Sequence, residues 1–519
     1  MWPRALSALM LLTLAGCPGG SGDIGDACDQ HGDCASKLQC VAGTCVERCH
    51  RAPDCGDGYA CDGDGLCHLA TGEAGDKCAS EVQCGPGLSC QIDGTAVDAA
   101  GHLLASCTAQ NDTRPAGASC TFDADCRNGT CALGRCVDLC KETRDCGAGL
   151  SCMTIPEVHN PQVQGDGGLF EGCLPARGSI TWSLPVGAPS WELLLPIPDA
   201  ARSATVVFSV DDLAQKVGAR TIASPSGATL FTKPCEPGSS PNCDALVADD
   251  QYFAQPLRHL PEPGQSVLQL PSNPALPLEA GAYRLTVASF RANGAAGSAI
   301  PHVTAVVKMD PAVFLDLHFH FLDLADHPCA QAFGGVTLDA SAAASASFFQ
   351  NDFLGGLRTV FDGGGVALGA STFDNITKHG DLDGLDVQDA GSLLALGTYD
   401  TGINVFFVRT LSPVGLQAFG PNPGPAGLAG TRQSGIVIGV DTLCYRSWTQ
   451  LARLTAHELA RYMGLYHNVE LEVGQHPSWR DPIADSDDAS SNLMFFSEIG
   501  GIDLSAGQRE ILTKSAVLR

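Results

Sequence analysis

The chain has 519 residues, with 57 acidic against 30 basic side chains and a formal net charge of −27 at neutral pH. This sign argues against nucleic acid as a partner, because phosphate backbones attract basic surfaces. The acidic surplus suits a soluble, exported protein, and a chain of this length is expected to form several domains.

The amino terminus has the pattern of an export signal. An apolar run over residues 5–14 is too short to cross a membrane as a helix. The next residues, Leu14-Ala15-Gly16-Cys17, resemble the lipobox of bacterial lipoproteins. That resemblance implies a signal peptide over 1–16, lipidation of Cys17, a flexible tether over 17–27 and, from the proline that follows, an outer-membrane location in the bacterial envelope. The alternative is an ordinary secretory signal that happens to end in cysteine.

The region 28–175 holds twenty of the 25 cysteines. Such density predicts disulfides formed in an oxidising compartment. The competing hypothesis, zinc knuckles, needs CxxC pairs that the sequence lacks. The spacing suggests two eight-cysteine modules, Cys28–Cys67 and Cys120–Cys173, with a shortened unit between them over Cys78–Cys107. Either a rigid stalk or a binding surface would fit, and the disulfide connectivity stays open.

The region 178–309 changes composition and predicts an antiparallel β-sandwich. Alternating apolar runs at 205–210, 283–288 and 302–307 have strand composition and are separated by proline- and glycine-rich turns. No helix signal of useful length interrupts them. Cys235 and Cys243 are predicted to close a loop.

The region 310–519 predicts an α+β domain. Strands are expected at 313–322, 404–408 and 436–440, with helices at 340–360 and 448–465. His318 and His320 share one face of the first strand and are interpreted as sheet residues, with metal ligation as the alternative. Cys329 and Cys444 are the remaining cysteines and could pair.

An acidic segment, GDLDGLDVQDAG, offers two interpretations. Its carboxylates recur at intervals that could surround calcium, although a solvated turn also explains them. The four residues are Asp381, Asp383, Asp386 and Asp389.

The most informative stretch is HELARYMGLYH at 457–467. It matches HExxHxxGxxH except that Arg461 stands at the second histidine. On a helix, positions 457 and 461 share one face, so two imidazoles there could bind one metal. Glu458 would activate a metal-bound water, and Gly464 would turn the chain so that His467 reaches back to the ion.

Downstream, Asn492-Leu493-Met494-Phe495 has the form of a Met-turn, with DPIADS before it and LSAGQREILTKS after it. Together these segments resemble the pappalysin family of metzincin metalloproteases. The resemblance covers about 310–519 and implies a metzincin-like catalytic-type domain. It also implies His457 and His467 as zinc ligands, Glu458 as catalytic base and Met494 as the hydrophobic floor of the site.

Arg461 makes zinc binding doubtful. A guanidinium has only donors and stays protonated, and at ~4 Å from a divalent cation it would be repelled by about 8 kcal/mol. We therefore expect Arg461 to pair with Glu458, three residues away. His476 or Asp485 could supply a replacement ligand.

Three classes of function follow from these observations. The first is a pseudoprotease that binds peptides or protein partners, and the second is an active zinc endopeptidase with an altered ligand set. The third is a purely structural envelope lipoprotein. The only membrane contact expected in any of them is through the lipid anchor.

Overall fold

The computed structural model describes residues 26–519, apart from 31–32, 42–43, 56–58, 62–64, 112, 158–166, 237–238, 244, 323, 325–326, 400, 421–427, 470–479 and 498–499. The predicted signal peptide and Cys17 lie outside the described residues. The remainder is strand-rich and forms disulfide-linked hairpins, then two antiparallel sheets, then a mixed sheet with helices, which confirms the multidomain prediction at this level. Among the helices of the described residues, none combines the length and apolar character needed to cross a bilayer.

The cysteine-rich region is a series of five small hairpin units. In each unit the first cysteine pairs with the third and the second with the fourth, for example Cys28–Cys40 and Cys34–Cys45. The strands are β1 (Gln39–Val41), β2 (Thr44–Val46), β3 (Tyr59–Cys61), β4 (Cys67–Leu69), β5 (Lys77–Cys78), β6 (Leu88–Val97), β7 (Leu103–Ala109), β8 (Cys131–Ala132), β9 (Arg135–Cys136), β10 (Leu150–Pro156) and β11 (Leu169–Pro175).

This connectivity corrects the predicted repeat. The repeating unit has four cysteines rather than eight, and Cys78–Cys107 is a complete unit with a longer hairpin, not a shortened one. The twelve disulfides include all 24 cysteines that the structure describes, so these sulfurs are not available as zinc-knuckle thiolates.

A side-chain turn precedes the second cysteine of every unit. One carboxylate or amide oxygen there accepts the backbone N–H groups of the residues three and four positions earlier, as Asp125 does from Thr121 and Phe122. These bonds stabilise the charged form and hold the pKa of Asp125 below its usual value. The five residues are Asp33, Asp54, Gln83, Asp125 and Asp145.

The units do not follow one another in single file. Arg51 of the second unit donates to the carbonyl of Gly147 in the fifth at 2.8 Å. Ser80 of the third unit donates to the Asp145 carboxylate of the fifth at 2.9 Å. The region therefore folds back on itself, a contact pattern that does not support an extended stalk built from all five units.

Two antiparallel sheets follow, with orders β12-β20-β14-β18 and β13-β19-β15-β16. Their facing side chains share one buried core, which includes Val206, Phe208 and Leu285, as the predicted sandwich requires. The strands are β12 (Ser179–Leu184), β13 (Ser190–Ile197), β14 (Ser203–Ser209), β15 (Lys216–Ala223), β16 (Thr229–Thr232), β17 (Glu262–Pro263), β18 (Gln265–Leu270), β19 (Gly281–Phe290) and β20 (His302–Lys308).

The prediction that no helix interrupts this region is wrong. Helix α1 (Ala245–Phe253) follows the predicted Cys235–Cys243 disulfide, which is confirmed. Tertiary contacts hold this short helix. Gln251 accepts a hydrogen bond from the backbone of Cys235 at 3.1 Å, and the Arg258 guanidinium lies 4.2 Å from the centre of the Phe253 ring.

The last region is built on a five-stranded sheet of order β22-β21-β24-β27-β26, in which only β26 runs antiparallel to its neighbour. Its strands are β21 (Phe314–Phe321), β22 (Ala367–Asn375), β24 (Ile403–Val408), β26 (Ala418–Phe419) and β27 (Ile436–Gly439), and β23 (Gly384–Asp386) pairs separately with β25 (Thr410–Ser412). Its helices are α2 (Ala340–Ser345), α3 (Leu354–Gly363), α4 (Ala390–Leu394), α5 (Trp448–Tyr462) and α6 (Ala506–Thr513).

The sheet positions α5, the helix that carries the motif. Leu451 and Leu459 of α5 are buried in one core with Val405, Phe407 and Ile438 of the sheet. The predicted helix over 340–360 is instead three pieces, α2, a π-helical turn at Phe348–Phe353 and α3. The predicted Cys329–Cys444 disulfide is confirmed and joins the loop after β21 to the segment just before α5.

The sandwich packs on this region through the polar outer face of its first sheet. Ser203 donates to the carbonyl of Lys514, and Gln433 donates to the carbonyl of Gln265 at 2.7 Å. Lys308, which is buried, donates to the carbonyl of Ser515 at 3.3 Å, and burial lowers its pKa to about 8. These hydrogen bonds join the two regions directly.

Candidate functional site

Helix α5 has well-formed signals at both ends. At its start, Ser447 and Gln450 form a reciprocal capping box. At its end, Gly464 adopts φ +110, its N–H bonds to the carbonyl of Arg461, and the N–H of Leu465 bonds to the carbonyl of Ala460. This pair of bonds is a Schellman motif, which needs glycine at its left-handed position. The chain thus turns at Gly464, where the sequence predicts a turn.

The turn brings the two motif histidines together. Nε2 of His457 lies 3.3 Å from Nε2 of His467, and Nδ1 of His457 lies 2.7 Å from the carbonyl oxygen of Leu493. Because a carbonyl oxygen can only accept, Nδ1 of His457 carries the proton and Nε2 presents its lone pair. Burial lowers the pKa of His457 to about 4, so this ring is neutral at neutral pH. His467 therefore donates from Nε2 to His457.

The segment of the predicted Met-turn lies beneath this pair. Met494 is fully buried, and its N–H bonds to the side chain of Asn492 at 2.8 Å. Its carbonyl accepts from the N–H of Asn468, next to His467, at 3.0 Å. Since the carbonyl of Leu493 also bonds to His457, this short segment contacts both His457 and the residue that follows His467.

Glu458 and Arg461 form the expected ion pair. Nη1 of Arg461 lies 3.2 Å from Oε2 of Glu458, with side chains only 13% and 8% exposed. Gly420, just after β26, is closely packed against the same carboxylate, since a Cβ atom there would lie 2.6 Å from Oε2. The carboxylate of Glu458, the prospective base, thus lies between the Arg461 guanidinium and the backbone at Gly420.

These residues fit zinc only in part. Two nitrogen ligands about 2.0–2.1 Å from a tetrahedral ion stand roughly 3.3–3.4 Å apart, which matches the separation of His457 and His467. At the motif position of the second histidine the chain has Arg461, whose guanidinium cannot ligate and repels a cation. Among the described residues, His457 and His467 are therefore two candidate ligands, and no third histidine, cysteine or carboxylate forms a close ligand group with them.

The proposed replacement ligands do not complete the set among the described residues. Both carboxylate oxygens of Asp485 accept hydrogen bonds at the start of α6, from Ser505 at 2.9 Å and from Gly507 at 3.0 Å. His476 lies outside the described residues.

Other sequence-predicted residues lie elsewhere. Asp383 pairs with Arg409 at 2.7 Å, and the side chain of Asp386 caps the next turn. Asp381, Asp383, Asp386 and Asp389 do not form one of the close ligand groups found among the described residues, so calcium stays a prediction without added support. His318 bonds to Thr372 and Thr401, and His320 bonds to Asn404, as interior sheet residues.

The sandwich contributes residues that sequence analysis missed. Tyr466, beside His467, is buried and donates to the carbonyl of Arg258 at 3.0 Å. A Cβ atom at Gly464 would lie 2.7 Å from both amide atoms of Gln269, a buried residue of β18. Gly464 is thus needed for the helix turn and also for close contact with the sandwich. The one sign of this contact in the sequence is that Gln265 and Gln269 lie on the same face of β18.

No protein-family model matches the chain, and no curated protein shows significant similarity to it.

Proposed function

We propose that this protein is an exported, lipid-anchored protein of the bacterial cell envelope. In this proposal its last domain is a pappalysin-like metzincin domain that binds peptides or protein partners and does not cleave them. The observation that carries the proposal is the Glu458–Arg461 ion pair. The pair occupies the prospective base and puts a permanent cation where the third zinc ligand belongs.

The surroundings of the pair support a retained binding role. Strand β26 pairs with β27 on one side and has no strand on its other side among the described residues. An extended peptide could add to such an edge through main-chain hydrogen bonds. Gly420 follows β26 and contacts Glu458, so a bound chain would pass beside Arg461.

The disulfides support export. Twelve pairs among the described cysteines are typical of an oxidising compartment. The lipid anchor on Cys17 and the outer-membrane location rest on the sequence of the amino terminus.

The second candidate is an active zinc endopeptidase, and the 3.3 Å separation of His457 and His467 favours it. Two of the required nitrogens already have the spacing for one tetrahedral ion, and the tautomer of His457 leaves its lone pair available. A ligand from a segment outside the described residues would complete this set.

Metal content separates the two candidates. We would purify the unaltered protein, Arg461→His and the matched control Arg461→Gln, which removes the cation without adding a ligand. Metal would be measured by inductively coupled plasma mass spectrometry, and cleavage with a fluorescent casein. We expect zinc near one equivalent and proteolysis only in Arg461→His. Stoichiometric zinc with cleavage in the unaltered protein would establish the second candidate instead.

A further inference from the structure

The part of the site that reaches solvent has an unusual charge. From Leu454 to Val469 every residue is buried except Arg461 and His467, which are partly exposed. A ligand that approaches this helix and turn therefore meets a guanidinium and an imidazole first. Arg461 therefore places a positive charge at this surface, in a chain whose net charge is −27.

Arg461 provides hydrogen-bond donors at this surface. Arg461 has five N–H donors in a planar fork and no acceptor, whereas the Nε2 proton of His467 is already donated to His457. Arg461 pairs with the carboxylate of Glu458, through a contact of 3.2 Å between Nη1 and Oε2. A planar fork of this kind matches the two oxygens of a carboxylate.

We propose that this site binds a carboxylate of a peptide ligand, and that the ligand replaces Glu458 as the partner of Arg461. The proposal rests on the proposed peptide-binding function and names the chemistry of its ligand. Two sources would present the same group, the free carboxyl terminus of a peptide and the side chain of an aspartate or glutamate. In either case Arg461 supplies the planar fork that pairs with the carboxylate.

Glu458 then acts as an internal competitor. The Arg461 guanidinium must turn away from Glu458 before a ligand carboxylate can pair with it, so the charge of Glu458 weakens binding. Replacing Glu458 with glutamine keeps the shape and removes that charge. Glu458→Gln should therefore bind a carboxylate ligand more tightly than the unaltered protein. If the ion pair were only structural, the same change would leave carboxylate binding unchanged or weaken it.

The test uses the full-length protein and pooled tetrapeptides of mixed sequence in three matched forms. The first form has a free carboxyl terminus and no acidic side chain, the second is its amide, and the third is an amide with one glutamate. Binding would be measured by retention on immobilised protein and by calorimetry of the retained peptides. The variants are Glu458→Gln and Arg461→Gln, with Arg509→Gln, an exposed arginine on α6, as the matched control.

We expect one carboxylate-bearing form to bind at least about tenfold tighter than the plain amide, the range of one charge-assisted hydrogen-bond pair. Arg461→Gln should abolish that preference, Glu458→Gln should increase it, and Arg509→Gln should not change it. Binding of all three forms with equal affinity would overturn the carboxylate proposal while leaving peptide binding intact. If none of the three forms bound, both the carboxylate proposal and the peptide-binding proposal would be overturned. If circular dichroism showed that Arg461→Gln does not fold, the Glu458→Gln variant alone would decide. Tighter carboxylate binding by that variant would support the proposal, and unchanged or weaker binding would overturn it.

Discussion

The Glu458–Arg461 pair gives the most quantitative prediction. At 3.2 Å and an effective dielectric near 20, the attraction between two unit charges is about 5 kcal/mol. Desolvation of two nearly buried ions offsets much of this, so the coupling between the two residues should be about 1–3 kcal/mol. A double-mutant cycle of Glu458→Gln and Arg461→Met isolates that coupling from the other contacts of each side chain.

The two single variants should differ. Glu458 is 8% exposed and enclosed by Gly420, so Arg461→Met leaves a buried carboxylate with nowhere to turn. That variant should lose about 3 kcal/mol. Arg461 is longer and 13% exposed, so after Glu458→Gln its guanidinium can rotate into solvent at a cost of about 1–2 kcal/mol. The double variant should be less damaged than the sum of the two.

Local stability is the appropriate measurement, because a multidomain chain has no single free energy of unfolding. Hydrogen exchange followed by mass spectrometry, on peptides that cover α5 and the turn at Gly464, reports the opening free energy of this helix. Peptides from the sandwich serve as the internal control. A coupling below about 0.5 kcal/mol, with both single variants unchanged, would refute the argument that this pair stabilises the site.

Two further predictions concern stability. Burial raises the pKa of Asp481 to about 7, compared with an ordinary value of 3.8. Between these two values the folded protein holds a proton that the unfolded chain has released, so the free energy of unfolding should fall as the pH rises from about 4 to about 7. Asp481→Asn should flatten this dependence in melting temperatures measured across that range, and an unaltered slope would show that another group causes it. The Cys329–Cys444 disulfide links residues 115 apart, so Cys329→Ser with Cys444→Ser should cost about 4–5 kcal/mol in the chain-entropy account. Calorimetry should then show a melting transition of the last domain lowered by roughly 10 °C, and a shift of only a degree or two would contradict this account.

The sequence predicted best where local pattern and tertiary environment agree. Helix α5 has a capping box, an apolar stripe and a glycine at its end, and the structure has it at Trp448–Tyr462. The apolar strands β24 and β27 were also placed within a residue or two. By contrast, β22 has the sequence ALGASTFDN, whose small and polar residues show no clear alternation. Its parallel pairing with β21 makes it a strand, and that pairing is not visible locally.

The disulfide units show a second limit. Cysteine spacing predicted disulfides but could not give their pairing, because four cysteines allow three connectivities. The length of the repeat was missed since two adjacent units give the same spacing pattern as one larger module. The dipeptide Asp-Cys at 33–34, 54–55, 125–126 and 145–146 was the available signal. Each of these aspartates closes a turn within a four-cysteine unit, so the dipeptide marks the unit length directly.

The position of His467 depends on both folded regions around it. Its neighbour Tyr466 bonds to the backbone of Arg258, and the Gly464 turn lies against Gln269, both in the sandwich region. The amide of Gln269 is buried without a hydrogen-bond partner among the described residues, so close packing rather than hydrogen bonding holds this contact. A fragment restricted to 310–519 would expose Tyr466 and the turn to water and lose the surface that sets them. The spacing between His457 and His467 is therefore a property of the two regions together, and metal or peptide binding has to be measured with the sandwich present.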